Sequence, residues 1–295
     1  MITFVGALLF STKAVIVKKA FADTSIDALS LLTLRMLCSL PFYIFMLLYT
    51  SRRTNIPTLS TAQWIQIMVL GIFGYYLSSF LDFEGLQYIS AGLERLILFL
   101  YPTFVVLING IYLKQKIAAV QKWALALTYA GICIAYTSEL YTDAHNPNFY
   151  WGSFLIFLCS VTFAFYIAGS GRLIPYTGAS RFTAYAMLAS TAGVFIHFVW
   201  RNNWQPLQHA TGSVWLYGLL LAVVATVIPS FLISGGTKKI GSSNVAIISS
   251  IGPVSTVAQA HFILGEKISA AQITGTLLVI AGVLLISVKR KETVL

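Results

Sequence analysis

The sequence predicts an all-α polytopic membrane protein, with ten transmembrane helices arranged as two inverted five-helix repeats. Composition is the first reason. Of 295 residues, 58% are hydrophobic and only 9% charged, and the mean hydropathy is +0.82. A soluble domain carries roughly 25% charged residues, so this chain cannot build a water-facing surface. Segmentation is the second reason: ten apolar runs approach the roughly 20 residues that span a hydrocarbon core. The third is an internal register. Trp64 recurs as Trp215, 151 positions later, and the same shift carries Ser79-Phe80-Leu81 onto Ser230-Phe231-Leu232. It also carries Gly85 onto Gly236, Ile89 onto Ile240, Pro102 onto Pro253, Lys116 onto Lys267, Gln121 onto Gln272 and Gly131 onto Gly282. Trp, Pro, Lys and Gln are scarce enough here that one ungapped register for all of them marks two copies of one unit.

The first repeat is expected over residues 1–140. Its opening apolar run, 1–20, has no basic segment ahead of it and continues into Lys18-Lys19, so it reads as a span and not as a cleavable leader. Further spans follow near 27–49, 63–82, 86–111 and 120–138. The polar stretch 141–148, with Asp143, His145 and Pro147, reads as a linker. The second repeat, 149–291, supplies spans near 150–170, 179–200, 214–235, 242–263 and 270–288, and the two repeats together form one transport domain. The early spans match less closely, since Thr12-x-Ala14 meets Thr162-x-Ala164 at a shift of 150. Five spans is an odd number, so the second repeat enters the membrane from the opposite side. Pro102 and Pro253 lie inside spans four and nine, where a proline frees a carbonyl and bends the helix. Matched in both repeats, they are either packing kinks or a pair of hinges.

The net charge of +10 does not point to nucleic acid. With both termini in the cytoplasm, the inner side holds Arg52, Arg53, Lys114, Lys116, Lys122, Arg172, Arg181, Lys238, Lys239, Lys289, Arg290 and Lys291. The outer side keeps Lys18, Lys19, Arg201 and Lys267, and takes Asp23, Asp27, Asp82, Glu84, Glu139, Asp143 and Glu266. That positive-inside bias fixes the orientation in the inner (plasma) membrane. Cys38, Cys133 and Cys159 all fall in apolar runs, so no extracellular disulfide framework is expected.

Four ionisable residues sit inside spans of the first repeat: Lys13, Arg35, Glu94 and Arg95. Counted from the outer helix ends, Lys13, Arg35 and Glu94 share a depth of roughly 10–12 Å. A charge there is costly unless paired or wetted, so spans one, two and four are expected to enclose a polar pocket. Glu94 and Arg95 point about 100° apart on a helix, so Glu94 is expected to meet Lys13 or Arg35. The layer then holds an excess of positive charge suited to a substrate carboxylate. At the corresponding places the second repeat has Phe163, Ala186, Val245 and Ala246, so the scaffold is repeated and the charges are not. The alternative is that these charges only pin helices together. Tyr75, Ser79 and Asp82 follow at i, i+4 and i+7 on span three, with Tyr76 adjacent, and Tyr101 stands seven residues from Glu94 on the same expected face. Tyrosines so placed suit a ligand that is part apolar and part polar, or serve as ordinary interfacial residues. Ser249, Gly252, Thr256 and Gln259 form a polar stripe on span nine as an opposite wall. His197 and His261 have no partner at metal-ligand spacing, and there is no Walker loop, HExxH or GxSxG. No catalytic residue, metal or cofactor is expected, and the chain does not read as an enzyme.

The ten spans, the matched prolines and the stretch LGEKISAAQITGTLLVIAGVLLI at 264–286 resemble EamA-type members of the drug/metabolite transporter superfamily. Gly265-Glu266, Gln272, Gly275 and Gly282 carry that resemblance, and it covers essentially the whole chain. Copy one departs from the pattern, with Gln115 for Glu266 and Ala124 for Gly275. The resemblance implies a basket of helices around a central cavity and export of small metabolites, amino acids among them. The expected partners are therefore a small-molecule substrate and the lipid bilayer, with no nucleic acid; a monomer suffices for that architecture. Glu94 is read as a proton-coupling group or as a fixed counter-ion for Lys13. The rival expectations are efflux of cationic drugs and a membrane receptor or scaffold that transports nothing.

Overall fold

The structure, a computed structural model, describes residues 1–51, 59–112, 119–142, 146–201, 204–208, 210–233, 248 and 251–289, and every regular element among them is helical. Helix α1 covers Ile2–Asp23 and α2 Ala28–Ser51. Ser60 begins α3, Thr61–Gly85, with a capping box: its hydroxyl accepts from the Gln63 N–H while Gln63 Oε1 accepts from the Ser60 N–H. The middle of α3 widens into a π-helical turn at Ile72–Leu77. Helices α4, Ala91–Leu98, and α5, Tyr101–Tyr112, are separated by Phe99-Leu100, and α6 runs over Ala119–Thr142. Helix α7, Phe149–Thr177, ends at Gly178, whose φ of 74° favours a residue without Cβ. Helix α8 spans Ala179–Arg201 and, past a short turn at Gln205–Gln208, α9 spans Gly212–Ile233 with its own π-helical turn at Val223–Val227. Helix α10, Gly252–Gln259, passes into a third such turn at Ala260–Leu264, and α11 is Ala270–Lys289.

The backbone follows the register of the sequence. Helix α2 starts at Ala28 and α8 at Ala179, α3 at Thr61 and α9 at Gly212, the two π-helical turns at Ile72 and Val223. Helices α5 and α10 start at Tyr101 and Gly252. Each pair is 151 residues apart.

Packing repeats the same exchange. Helix α1 lies on α9 and α10, while α7 lies on α3, α4 and α5; α2 meets α9, and α8 meets α3. Two pairs close on themselves, α2 with α8 and α6 with α11. The second is the tightest contact. A Cβ added to Gly131 would strike the Gly275 carbonyl, one added to Gly275 would strike the Gly131 carbonyl, and one on Gly282 would strike Thr128 and Ala124. Small residues let membrane helices approach backbone to backbone.

Large apolar side chains such as Phe45, Leu48, Trp123, Ile196, Trp200 and Phe262 face outward, the reverse of a soluble protein. Among the described residues, five helices are long and apolar enough to cross a membrane: Ala28–Thr50, Thr61–Gly85, Phe149–Thr177, Ala179–Arg201 and Gly212–Ile233. The other expected spans are not among these five. Helix α1 is long enough, at 22 residues, but carries Lys13, Lys18, Lys19 and Asp23, and the fourth expected span is divided at Phe99-Leu100. Much of the ninth expected span lies outside the described residues, as do Val245, Ala246, Ser249 and the loop charges Arg52, Arg53, Lys114, Lys116, Lys238, Lys239, Arg290 and Lys291. The prolines also differ from the expectation of mid-helix kinks. Pro102 and Pro253 each occupy the second position of a helical segment, where the missing N–H would have no intrahelical partner.

Candidate functional site

Helices α1 to α4 converge on one buried ionic layer. Lys13 of α1 holds its ammonium 2.8 Å from Asp82 Oδ2 of α3. Asp82 was expected at the outer surface; instead α3 continues to Gly85 and leaves it 0% exposed. Glu94, also 0% exposed, lies beside the Asp82 carboxyl and within reach of the Lys13 and Arg95 charges, and neither of its oxygens has a hydrogen-bond partner among the described residues. Arg35 of α2 donates from Nη1 to Ser79 Oγ at 3.3 Å and lies over the Phe83 ring at 5.6 Å.

The second half of the chain fixes the helix that carries Glu94. Ser90 caps α4 through the Leu93 N–H, and the Glu266 carboxylate accepts from the Ala91 N–H at 2.9 Å and the Gly92 N–H at 3.4 Å. An anion at a helix N-terminus meets both free donors and the positive end of the helix dipole. Around it the same end of the bundle is joined by Ser138 to Ser269, Asn146 to the Tyr88 carbonyl, and the Tyr217 hydroxyl to Asp23. His261, expected to be a satisfied interfacial residue, bonds the Glu266 carbonyl at 2.8 Å.

Arg95 stands at the edge of this layer, with its charge reaching Glu94. Its guanidinium lies over Phe10 at 5.5 Å and Phe99 at 5.4 Å, and a Cβ on Gly252 would come within 2.8 Å of Nη2. Tyr101 does not share a face with Glu94, because the helix breaks between them; it packs edge-on against Phe163 and feels the Arg95 charge. Two turns from Asp82 along α3, the buried Tyr75 hydroxyl accepts from Tyr166 at 3.1 Å. Arg35 acts electrostatically on both Tyr75 and Tyr43, and Tyr43 meets Ser230 Oγ at 3.4 Å. Tyr76 is turned aside, to His197 Nδ1 of α8 at 2.9 Å.

The structure therefore brings Lys13, Arg35, Ser79 and Glu94 together, sets Tyr75 below them and Arg95 with Tyr101 beside them. Sequence reasoning placed Asp82 on the tyrosine face but left it out of the ionic layer, and it missed Tyr43, Tyr166 and Ser230. Two signals were present: Asp82 continues the Tyr75–Ser79 face, and Ser230 is the repeat partner of Ser79. Three cations, Lys13, Arg35 and Arg95, surround two carboxyls, so the layer can receive an anionic group. Among the described residues no group of three or more His, Cys, Asp or Glu is placed to hold a metal ion.

Long apolar helices with an outward apolar face and a buried ionic layer define a multi-pass membrane transporter as the class. The model of the EamA-like transporter family matches residues 1–137 and again 150–288, and the chain belongs to that family. It is similar to the uncharacterized transporter YcbK of Bacillus subtilis (strain 168), 29% identical over 92% of this chain and 86% of that one. The uncharacterized transporter YyaM of the same organism is 25% identical over 75% of this chain and 72% of its own. One solved crystal structure superposes with a TM-score of 0.68 over 99% of this chain and 97% of that chain; at 18% identity the likeness is one of fold alone.

Proposed function

We propose that the chain is a secondary transporter exporting amino acids or related zwitterionic and anionic solutes. On this reading ten spans form two inverted halves, 1–140 and 149–291, in the inner membrane with both termini cytoplasmic. The halves rock about the ionic layer, with Pro102 and Pro253 as hinges. Lys13, Arg35, Tyr75, Ser79, Glu94, Arg95 and Tyr101 line the solute's path, and Tyr76 braces its wall through His197.

One observation carries the reading: buried cations outnumber buried carboxyls at a layer built on helices from one half and capped by the other. A solute carboxylate restores the balance, whereas an organic cation adds to the excess. The double match to the family supports the two halves, and the exchange of packing partners supports their symmetry.

The test is counterflow of labelled amino acids in proteoliposomes, with tetraphenylphosphonium as the cationic comparison. Exchange of amino acids is expected and exchange of the cation is not; the reverse pattern would favour drug efflux, and silence with both would favour a receptor or scaffold. Arg35→Ala is expected to weaken carboxylate solutes about tenfold while sparing the matching amines, the worth of one charge-assisted hydrogen bond.

A further inference from the structure

Bonds between the halves gather at the end of the bundle where α4 begins. Gly265, with a φ of 71°, ends the π-helical turn Ala260–Leu264. Its N–H donates to the His261 carbonyl at 3.1 Å, and the Glu266 N–H donates to the Ala260 carbonyl at 3.3 Å. A left-handed residue there turns the chain back and sends the Glu266 side chain across to the N–H groups of Ala91 and Gly92. Gln272 presses on the same place, since a Cβ on Gly92 would strike its Nε2. Ser138 donates to Ser269 at 2.8 Å, and the Tyr217 hydroxyl donates to Asp23. Each of these cross-contacts joins a residue of one half to a residue of the other. The turn between α3 and α4 is clasped as well: Lys18 Nζ donates to the Ile89 carbonyl at 2.8 Å and Asn146 Nδ2 to the Tyr88 carbonyl at 2.7 Å. Asp82 stands three residues before the end of α3 and Glu94 three after the start of α4, so the clasped turn lies over the ionic layer. The repeat register does not reproduce this clasp at the opposite end. It sets Gln115 against Glu266, Ala118 against Ser269, Lys289 against Ser138 and Gln66 against Tyr217. Glutamine brings no charge and alanine no hydroxyl.

We infer that Glu266 is the latch of an outer gate. Its hold on α4, with the Ser138–Ser269 bond beside it, breaks before a solute leaves the layer on that side. The matching position at the opposite end holds an amide, so the empty protein rests open to the cytoplasm, the side from which an exporter loads. The inference rests on the transport reading above, whose orientation puts this end of the bundle outside. Glu266 touches no solute. It acts through α4, the helix that carries Glu94 and Arg95, and is therefore a positioning residue. A bond made in one of two states shifts their populations by its own free energy, about tenfold for a charged acceptor holding backbone N–H groups.

A native thiol reads the gate without any solute. Cys159 of α7 is buried beside the layer, where Asp82, Lys13 and Glu94 act on it, and Cys38→Ala with Cys133→Ala leaves it the single cysteine. Its rate of reaction with the membrane-impermeant anion sulfonatoethyl methanethiosulfonate is measured from outside in intact cells and from inside in inverted vesicles. Faster reaction from inside is expected. Glu266→Ala is expected to speed the reaction from outside about tenfold and to leave the rate from inside no higher. Glu266→Gln, which keeps the hydrogen bond and loses the charge, is expected to speed it about fivefold. A thermal melt verifies folding. An unchanged outside rate in Glu266→Ala would overturn the latch, and so would an equal rise from both faces, the mark of a loosened protein. A second arm bridges the gate: Ser138→Cys with Ser269→Cys places two thiols where the hydroxyls now touch. Oxidation of that pair is expected to abolish amino-acid counterflow and reduction to restore it; counterflow undiminished by the bridge would overturn the gate. If wild-type and reduced protein both move no amino acid, the transport reading falls, and the labelling rates still decide the latch.

Discussion

Where α2 carries Arg35, the matching position of α8 is Ala186. Arg35 reaches across to Ser79 and Phe83; the Ala186 carbonyl instead abuts Gly71, so closely that a Cβ there would strike it. Lys13 corresponds to Phe163, which packs against Tyr101 and Tyr166, and Asp82 corresponds to Ile233. The helices of the two halves begin at matched residues, yet one half fills its interior with ions and the other with rings and methyl groups. Main-chain geometry has been kept by the small and helix-starting residues, while the lining has been free to differ. A solute without two-fold symmetry needs such a difference.

The most severe test of this contrast is to take the ions out of the first half. Lys13→Ala or Asp82→Ala alone should lower stability by about 3–5 kcal/mol, because each leaves a buried charge without its partner. The double change Lys13→Met with Asp82→Leu should recover most of that loss, as seen by chemical unfolding of the detergent-purified protein. If the double variant is no better than the singles, the pair does not behave as a unit. A smaller effect compares the halves at the α6–α11 contact, where Gly275 of one corresponds to Ala124 of the other. Gly275→Ala should cost about 1–3 kcal/mol by forcing the helices apart at Gly131. Ala124→Gly should cost about 1 kcal/mol, through helix propensity alone. Equal losses would mean the two sides of that contact are interchangeable. Smallest should be Glu266→Gln, at about 1 kcal/mol, since an amide oxygen still accepts from the start of α4 but without its charge. Loss of the cap should be visible as faster hydrogen exchange at Ala91 and Gly92.

Much of the scaffold could be read from the sequence because it is written in scarce residues: Trp, Pro and Gln kept a register that the helix starts obey. Lys13, Arg35 and Glu94 were equally conspicuous, as charges inside apolar runs. Asp82 escaped because the third run was closed at 82, and a carboxylate at the end of a span looks like a surface group. With Asp82 outside, Glu94 was paired with a cation instead of a second carboxyl. Tyr43 and Tyr166 carried no charge to mark them, and tyrosine is common near membrane interfaces. The separation of Glu94 from Tyr101 was hidden for another reason. Pro102 forecasts a bend, but a break two residues before it depends on how α4 and α5 pack on α7.

The π-helical turns at Ile72 and Val223 have a bearing on descent. A π-helical turn within an α-helix accommodates one extra residue, and the rest of the helix is rotated by it. Two independent insertions at the same point are far less economical than one event inherited twice. The single-module ancestor would already have owned this feature before its gene was doubled. Its offspring then specialised separately on either side of a shared and already twisted rod.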